Sequence, residues 1–327
     1  MGRGMVTKPN RWAALDVGTN TTMLLVAHMD DGLIVEDEEW YQATRLGEGV
    51  DRTRSLDPNA MKRTLDAAAD MLEDARRRYP DVVGTAVATS AVREAENGQQ
   101  FLDRCSDRLG VRPRVLTGEQ EAQYLFRGVT SDREPTESII HIDIGGGSTE
   151  LTAGRRGLCA FARSVNIGCV RLGERFGLFE AVDARTRAAA RRAVTEALHP
   201  SITCLSASVA FDLSRARVFA TGGSATTFAS LVLALGAYDR GRVHGFVGER
   251  RRLRVEADRL AGLPTSLRRR IPGVFPDRAA VLPGGLMILG IFLSLLGHEG
   301  FTVSTRGLRA GLIDAMAGGA LPIAWPG

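Results

Sequence analysis

The sequence predicts an α/β protein built from two similar halves. Apolar segments of strand length alternate with helical patterns along the first half, and the same order recurs in the second half. A turn in which an apolar strand ends in an aspartate and a nearby glycine occurs once in each half. Since 327 residues exceed what one hydrophobic core comfortably supports, we expect two domains.

The first half supplies most of the predicted strands. Strands are predicted at residues 12–17, 23–28, 33–38, 85–89, 114–116 and 138–142. Helices are predicted at residues 59–79, 99–109 and 119–130, where apolar residues recur at helical spacing. The polar stretch 130–138, which contains Pro135, is the best boundary between domains. We therefore expect an N-terminal domain over residues 10–130 and a C-terminal domain over residues 131–320.

The second half repeats this plan and ends in helices. Strands are predicted at residues 139–144, 150–153, 161–165 and 218–220, and helices near 183–198 and 224–235. The apolar run 286–296 is too short for a membrane span and predicts a buried helix. A late strand at 301–304 precedes a final helix from Arg306, which we expect to pack back on the N-terminal domain.

Composition excludes several classes of protein. The hydrophobic fraction of 44% and the charged fraction of 24% are ordinary for a soluble globular protein. Residues 1–5 lack the hydrophobic core of a signal peptide, so we expect a cytoplasmic protein with no membrane partner. With 6% aromatic residues and no zinc-finger spacing, no nucleic-acid partner is expected. The four cysteines form no CxxC pair, which predicts reduced thiols.

Arginine clusters at residues 191–192, 250–254 and 268–270 contribute to a net charge of +4. Two interpretations stay open. The clusters are either solvated faces of helices, or a track that grips a long polyanion through charge and forked hydrogen bonds.

The most informative motif lies in the middle of the chain, at residues 142–150. An apolar strand ends there in Asp143, and Gly145, Gly146 and Gly147 follow, then Ser148, Thr149 and Glu150. Glycines let backbone N–H groups crowd round an anion, and the hydroxyls add further donors. Asp143 and Glu150 are candidate ligands for the divalent cation that phosphate oxygens prefer. The motif therefore predicts a phosphate-binding turn.

An imperfect copy of this motif lies near the N-terminus. Asp16 aligns with Asp143, Gly18 with Gly145 and Thr21 with Ser148, at a constant offset of 127 residues. Each copy predicts two strands joined by a tight turn, with its polar tip at the bend. Candidate phosphate ligands in the first copy are Gly18, Thr19, Asn20 and Thr21. Two such hairpins facing each other across a cleft would bind a phosphate from both sides.

A third glycine pair, Gly222 and Gly223, follows the strand predicted at 218–220. Ser224 is a candidate cap for the next helix, whose N-terminal N–H groups would then point at an anion. Plain helix capping explains the pattern equally well.

Hydrolysis also needs a group that orients and deprotonates water. Thr117 and Gln120 predict a capping box that starts a helix, with Glu119 and Glu121 in its first turn. The positive end of the helix favours an ionised carboxylate, which suits a base. Since the two glutamates lie roughly 200° apart, only one can point into a given cleft, and the pattern leaves open which. Alternatively, Glu119 and Glu121 only stabilise the start of the helix. Arg93 is likewise either a side chain that binds phosphate or an ordinary helix arginine.

Taken together, these motifs resemble the exopolyphosphatase and guanosine pentaphosphate phosphatase family, called Ppx/GppA, in its short two-domain form. The resemblance spans nearly the whole chain and rests on six ordered motifs, at residues 16–22, 88–97, 118–122, 143–151, 168–172 and 221–227. It implies two actin-like domains with the active site in the cleft between them. It also implies that Glu121 is the catalytic glutamate and that Arg93 faces the substrate.

The same resemblance implies a ligand set and an activity. Asp143 and Glu150 would bind Mg²⁺ or another divalent cation, with Asp16 as a third candidate ligand. The expected reaction releases terminal orthophosphate from inorganic polyphosphate, with guanosine pentaphosphate as the alternative substrate. Two rivals are a non-catalytic polyphosphate or nucleotide sensor and a kinase of the same superfamily. Homodimers occur in the family, so a homodimer is a candidate assembly.

This chain departs from the family pattern in its first turn. Threonines stand where serines are usual, which preserves the hydroxyl chemistry. Met23 stands where many members have a basic or polar residue, so no polar substrate contact is expected from that position.

Overall fold

The computed structural model describes residues 10–133, 136–155 and 157–325. Residues 1–5, used above to argue against a signal peptide, and Pro135 of the predicted domain boundary lie outside this range. The strands in chain order are β1 (Trp12–Val17), β2 (Thr22–Asp30), β3 (Leu33–Gln42), β4 (Val83–Ala88), β5 (Arg114–Val115), β6 (Ser138–Ile144), β7 (Thr149–Arg155), β8 (Leu158–Val165), β9 (Arg217–Thr221), β10 (Val247–Glu249) and β11 (Gly300–Val303).

The helices surround two separate sheets. In chain order they are α1 (Val50–Thr53), α2 (Pro58–Arg78), α3 (Ser90–Glu94), α4 (Gly98–Leu109), α5 (Gly118–Thr130), α6 (Cys169–Phe176), α7 (Ala184–Ser208), α8 (Gly222–Val232), α9 (Arg240–Val243), α10 (Arg250–Ala261), α11 (Thr265–Arg268), α12 (Leu282–Leu296) and α13 (Leu308–Ala317). None of these helices is both long enough and apolar enough to cross a membrane.

The first sheet has the strand order β3-β2-β1-β4-β5. β2 is antiparallel to β1 and β3, whereas β4 runs parallel to β1 and β5. Alternate side chains of β1 point to opposite faces. Leu15 joins the core beneath α2 and α4, and Ala14 joins the core beneath α13. Asp16 lies on the same face of β1 as Ala14, so strand alternation alone turns its carboxylate towards α13 and α5.

The second sheet has the order β10-β11-β9-β6-β7-β8. β6, β9 and β11 run parallel, and the outer strands pair antiparallel. Ile140 and Ile142 face the large core formed with α7, α8, α10 and α12, whereas Ile139 packs on Phe126 of α5. Asp143 shares the face of Ile139. The two equivalent aspartates therefore both face α5, which packs against both β7 and α13.

Local sequence signals set the starts of the main helices. Asp57 caps α2 by accepting from the N–H groups of Asn59 and Ala60, with Pro58 in the first turn. The predicted capping box of α5 is confirmed, since the side chain of Thr117 accepts from the N–H of Gln120 and the side chain of Gln120 accepts in return. The predicted buried helix over 286–296 is confirmed within α12.

Two local predictions are wrong. Helix α8 begins at Gly222 with Thr221 as its N-cap residue, so Ser224 lies inside the helix and does not cap it. Thr221 makes no capping bond because its hydroxyl donates to Asp143 instead. Arg268 is not on a solvated helix face. It is fully buried and donates to backbone carbonyls, including those of Leu260 and Leu178 at 2.8 Å.

Candidate active site

A cleft of about 610 Å³ opens at the carboxyl ends of the parallel strands in both sheets. The turn after β1 lines it on one side, and the turn after β6 lines it on the other. The segments after β4, β9 and β11 contribute further lining residues, and so do α5 and the segment before α12. A volume of this size is typical of a small-molecule site.

The two predicted hairpins have the same geometry. Gly18 donates its N–H to the carbonyl of Thr21 at 2.9 Å, and Gly145 donates to Ser148 at 3.0 Å. The cross-strand registers also correspond, since Asp16 lies opposite Met23 in one hairpin and Asp143 lies opposite Glu150 in the other. The internal copy read from the sequence is therefore a structural repeat, with Met23 at the position equivalent to Glu150.

Backbone hydrogen bonds orient the glycine turn after β6. The N–H groups of Cys169 and Val170, at the start of α6, donate to the carbonyls of Gly145 and Gly146 at 2.9 Å. A trans peptide holds its C=O and the next N–H in opposite directions. Because the carbonyls point at α6, the N–H groups of Gly146 and Gly147 face away from it, on the cleft side.

The turn after β1 is held in the same way by a different segment. Gly47 donates its N–H to the carbonyl of Thr19 at 2.8 Å, and Arg45 donates to Asn20 at 3.0 Å. The N–H groups of Asn20 and Thr21 therefore face the opposite side. The amide nitrogen Nδ2 of Asn20 is buried without a hydrogen-bond partner among the described residues. Both turns thus offer donors to an anion in the cleft.

Buried carboxylates lie at the base of these turns. Burial raises the pKa of Asp16 to about 6, opposed by nearby Arg309, and burial raises the pKa of Glu150 to about 7, reinforced by the charge of Asp143. Burial likewise raises the pKa of Asp143, although the Thr221 hydroxyl opposes it. Oδ1 of Asp16 and Oε2 of Glu150 are buried oxygens without a hydrogen-bond partner in the described part of the chain.

The structure distinguishes the two glutamates of α5. Glu119 is exposed, whereas Glu121 is buried and lines the cleft. Arg93 donates to Oε2 of Glu121 at 3.2 Å and to the carbonyl of Leu116 at 2.8 Å. The helix end favours the ionised form of this carboxylate, but burial and then the charge of Glu150 oppose it and raise the pKa of Glu121 well above its usual value.

The amino-acid sequence matches the model of the Ppx/GppA phosphatase family over residues 25–319. The chain belongs to this family. It is 32% identical over 322 residues to exopolyphosphatase 2 of Mycobacterium tuberculosis, and the match covers 94% of this chain and 99% of that protein. It is 30% identical over 308 residues to guanosine-5'-triphosphate,3'-diphosphate pyrophosphatase of Vibrio campbellii, and this match covers 93% of this chain and 59% of that longer protein.

A solved Ppx/GppA structure shares the fold. The PPX-GPPA enzyme of Aquifex aeolicus superposes with a TM-score of 0.76 at 27% identity, over 93% of this chain and 99% of that one. The α/β fold predicted from the family resemblance, with two actin-like sheets, is confirmed. The domain boundaries at residues 130 and 131 stay a prediction.

Most residues predicted for a Ppx/GppA site line the cleft. They are Asp16, Gly18, Thr19, Asn20, Thr21, Glu121, Asp143, Gly145, Gly146, Ser148, Gly222 and Gly223. Arg93, Gly147 and Glu150 lie just behind this surface. Arg93 reaches the cleft through Glu121, while Gly147 touches Ser90 and Thr19 closely enough to leave no room for a Cβ. Glu150 is fully buried opposite Asp143 and accepts from Ser164 Oγ at 2.6 Å.

Sequence reasoning missed a group of aromatic and charged residues in the cleft. Tyr41, Tyr238 and Phe275 line one part of it, and Tyr238 packs edge-on against Phe275 with ring centroids 6.1 Å apart. The guanidinium of Arg278 lies 5.2 Å from the ring centre of Tyr41. These aromatic residues belong to no glycine motif, so no sequence signal used above could find them.

Arg309, near the start of α13, also lines the cleft. Its Nη1 lies 2.5 Å from Oε1 of Glu39 on β3. Arg240, on α9, also pairs with Glu39 and with Glu36. None of the arginines at 191–192, 250–254 and 268–270 lines the described cleft.

Proposed function

We propose that the chain releases terminal orthophosphate from inorganic polyphosphate by attack of water on the terminal phosphorus. The observation that carries the proposal is the placement of two donor-lined turns around one cleft with a buried carboxylate, Glu121, at its wall. A phosphate chain presents its oxygens to both turns. This arrangement supplies the positioning and electrostatic stabilisation on which phosphoryl transfer depends.

Glu121 is proposed as the group that orients water and takes its proton. Its raised pKa makes it a stronger base than an ordinary carboxylate, once it is ionised. Arg93, 3.2 Å away, favours the ionised form and fixes the direction of the carboxylate. Because α5 carries Glu121 in a capped first turn, the base is attached to a rigid element.

The turn residues are proposed to bind the phosphate groups. N–H groups at Asn20 and Thr21 on one side, and at Gly146 and Gly147 on the other, would donate to phosphoryl oxygens. The N-terminus of α8, at Gly222 and Gly223, adds a helix dipole directed at the same cleft. Fixed dipoles of this kind stabilise negative charge without reorganisation during the reaction.

Asp143, Glu150 and Asp16 are proposed ligands for Mg²⁺ or another divalent cation. Within the described residues, no three His, Cys, Asp or Glu side chains converge as a metal cage held by protein alone would need. Mg²⁺ commonly binds through one or two carboxylates plus waters and substrate phosphates. The buried oxygens without partners on Asp16 and Glu150 fit that role. When bound, the cation would offset negative charge on the phosphate oxygens.

Guanosine pentaphosphate is a second candidate substrate, favoured by the aromatic part of the cleft. Tyr238 is 46% exposed and Tyr41 is 39% exposed, so each ring offers a face on which a purine base can stack. Among the described residues, the arginine clusters at 191–192, 250–254 and 268–270 do not line the cleft. The names of the two relatives, an exopolyphosphatase and a guanosine-5'-triphosphate,3'-diphosphate pyrophosphatase, are compatible with either substrate.

Phosphate release with Mg²⁺ tests the proposal. The purified protein is assayed with short polyphosphate, long polyphosphate and guanosine pentaphosphate. Release from at least one of these substrates supports a hydrolase. Binding without release would indicate the sensor, and transfer of a phosphoryl group to ADP without free phosphate would indicate the kinase. Gel filtration with light scattering tests the homodimer, and cell fractionation tests the expected cytoplasmic location.

A further inference from the structure

Arg171 of α6 contacts both halves of the molecule at the glycine turn. Its Nε donates to the carbonyl of Gly147 at 2.9 Å. Its Nη2 donates to Glu94 at 2.6 Å, and its Nη1 pairs with Asp51. Glu94 and Asp51 lie on α3 and α1, beside the first sheet, whereas Gly147 belongs to the second. One guanidinium therefore joins both halves through three different acceptors.

The contact with Gly147 completes the orientation of the turn. The start of α6 already holds the carbonyls of Gly145 and Gly146 through backbone N–H groups. Arg171 holds the third carbonyl, of Gly147, which turns the following N–H, of Ser148, to the opposite side. Without Arg171 this peptide loses its only side-chain hydrogen bond among the described contacts.

The partners of Arg171 also contact the turn from the other half. Glu94 accepts from Ser90 Oγ at 2.8 Å. Ser90 lies against Gly147 so closely that a Cβ on that glycine would sit 2.5 Å from Ser90 Oγ. Arg171, Glu94, Ser90 and Gly147 therefore close a ring of contacts across the cleft. Arg93, the neighbour of Glu94, carries the contact with Glu121.

We propose that Arg171 is a positioning residue that fixes the glycine turn against the first half, so that both donor-lined turns face the same phosphate. The inference rests on the proposed function for its kinetic consequence, but its structural consequence does not depend on catalysis. Arg171 does not line the cleft and touches no reacting atom. It acts through the Gly147 peptide and through Glu94.

The kinetic test compares Arg171→Ala with Arg171→Lys and Glu174→Gln. Glu174 is on the same helix and also reaches the first half, where Oε1 accepts the N–H of Gly49 at 2.9 Å, but it makes no contact with the turn. Arg171→Ala should lower kcat/KM about 100-fold, chiefly in kcat, since a misplaced donor weakens transition-state binding. Arg171→Lys should lose less activity than Arg171→Ala because lysine keeps the positive charge. It should not reach the wild-type activity, because lysine lacks the forked guanidinium that bonds several acceptors at once. Glu174→Gln should stay within about twofold of the wild type.

Amide hydrogen exchange provides the second measurement, made without substrate. Peptides covering residues 145–148 and 169–171 should exchange faster in Arg171→Ala than in the wild type, and at the wild-type rate in Glu174→Gln. Thermal melting is used to check that both variants are folded. Unchanged exchange in Arg171→Ala, or equal losses in the two variants, would overturn the inference. If the wild type releases no phosphate while the exchange result holds, the proposed function fails and the positioning role stands.

Discussion

Substitution of Gly147 by alanine tests whether the spacing of the two turns limits catalysis. The new Cβ would lie 2.5 Å from Ser90 Oγ, about 1 Å short of ordinary van der Waals contact, and 3.3 Å from Thr19 Oγ1. Ser90 Oγ cannot move freely because it is bonded to Glu94 at 2.8 Å. The turn after β6 must therefore move away from α3 and from Thr19 by a fraction of an ångström, up to about 1 Å. A displacement of that size costs about 100-fold in rate.

The assay is phosphate release under kcat/KM conditions, with a rescue variant and a control. Ser90→Ala removes the clashing oxygen and leaves the Ser90 Cβ 3.4 Å from the new methyl group. In that background Gly147→Ala should cost much less than it does alone, which a double-mutant cycle measures. Gly262→Ala is the control, since its Cβ would meet atoms only at 3.6 Å or more. The reasoning is refuted if Gly147→Ala retains wild-type activity, or if Ser90→Ala does not reduce its effect.

Three further predictions concern the base, the aromatic wall and the buried arginine. Glu121 must be ionised to accept a proton, so kcat/KM should fall as the pH drops through its raised pKa. Arg93→Met removes the charge that lowers this pKa and should move the fall in kcat/KM to higher pH. A fall at the same or a lower pH in this variant would contradict the role of Glu121 as the base. Tyr238→Ala should raise the KM for guanosine pentaphosphate about 5- to 150-fold, from ~1–3 kcal/mol of lost stacking, and leave the KM for polyphosphate unchanged. Equal effects on both substrates would argue against base stacking. Arg268→Met should destabilise the protein by about 3 kcal/mol or more in urea unfolding, because several buried carbonyls lose their donor, while kcat per folded molecule stays unchanged.

The two hairpin turns could be predicted from the sequence because an aspartate, a glycine and hydroxyl residues follow an apolar strand in each copy. The strand β1 at Trp12–Val17 is confirmed to the residue, and the helices predicted at 99–109 and 119–130 differ from α4 and α5 by one residue each. The offset of 127 residues corresponds to matching hydrogen bonds in the two turns. Local pattern was sufficient at these positions, since strand alternation and capping act over a few residues.

The missed features depend on contacts between distant segments. Helix α6 was not predicted, although its motif at 168–172 was recognised, because only its contacts with the glycine turn show what the motif does. Tyr41 and Tyr238 lie far apart in the sequence, and only the fold brings both to the same cleft. The raised pKa of Glu121 could not be predicted from its place in the first turn of a helix, because the helix dipole is a local effect, whereas burial depends on the whole fold.

The most direct test of the account is phosphate release by wild type and Glu121→Gln. Glutamine keeps the size of the side chain but cannot take a proton from water, so turnover should fall by about 100- to 10,000-fold while substrate binding persists. Binding is measured separately by calorimetry with tripolyphosphate. Loss of turnover with retained binding is the result that the account predicts. Turnover of Glu121→Gln within about twofold of wild type would contradict the central claim that this buried carboxylate activates the water.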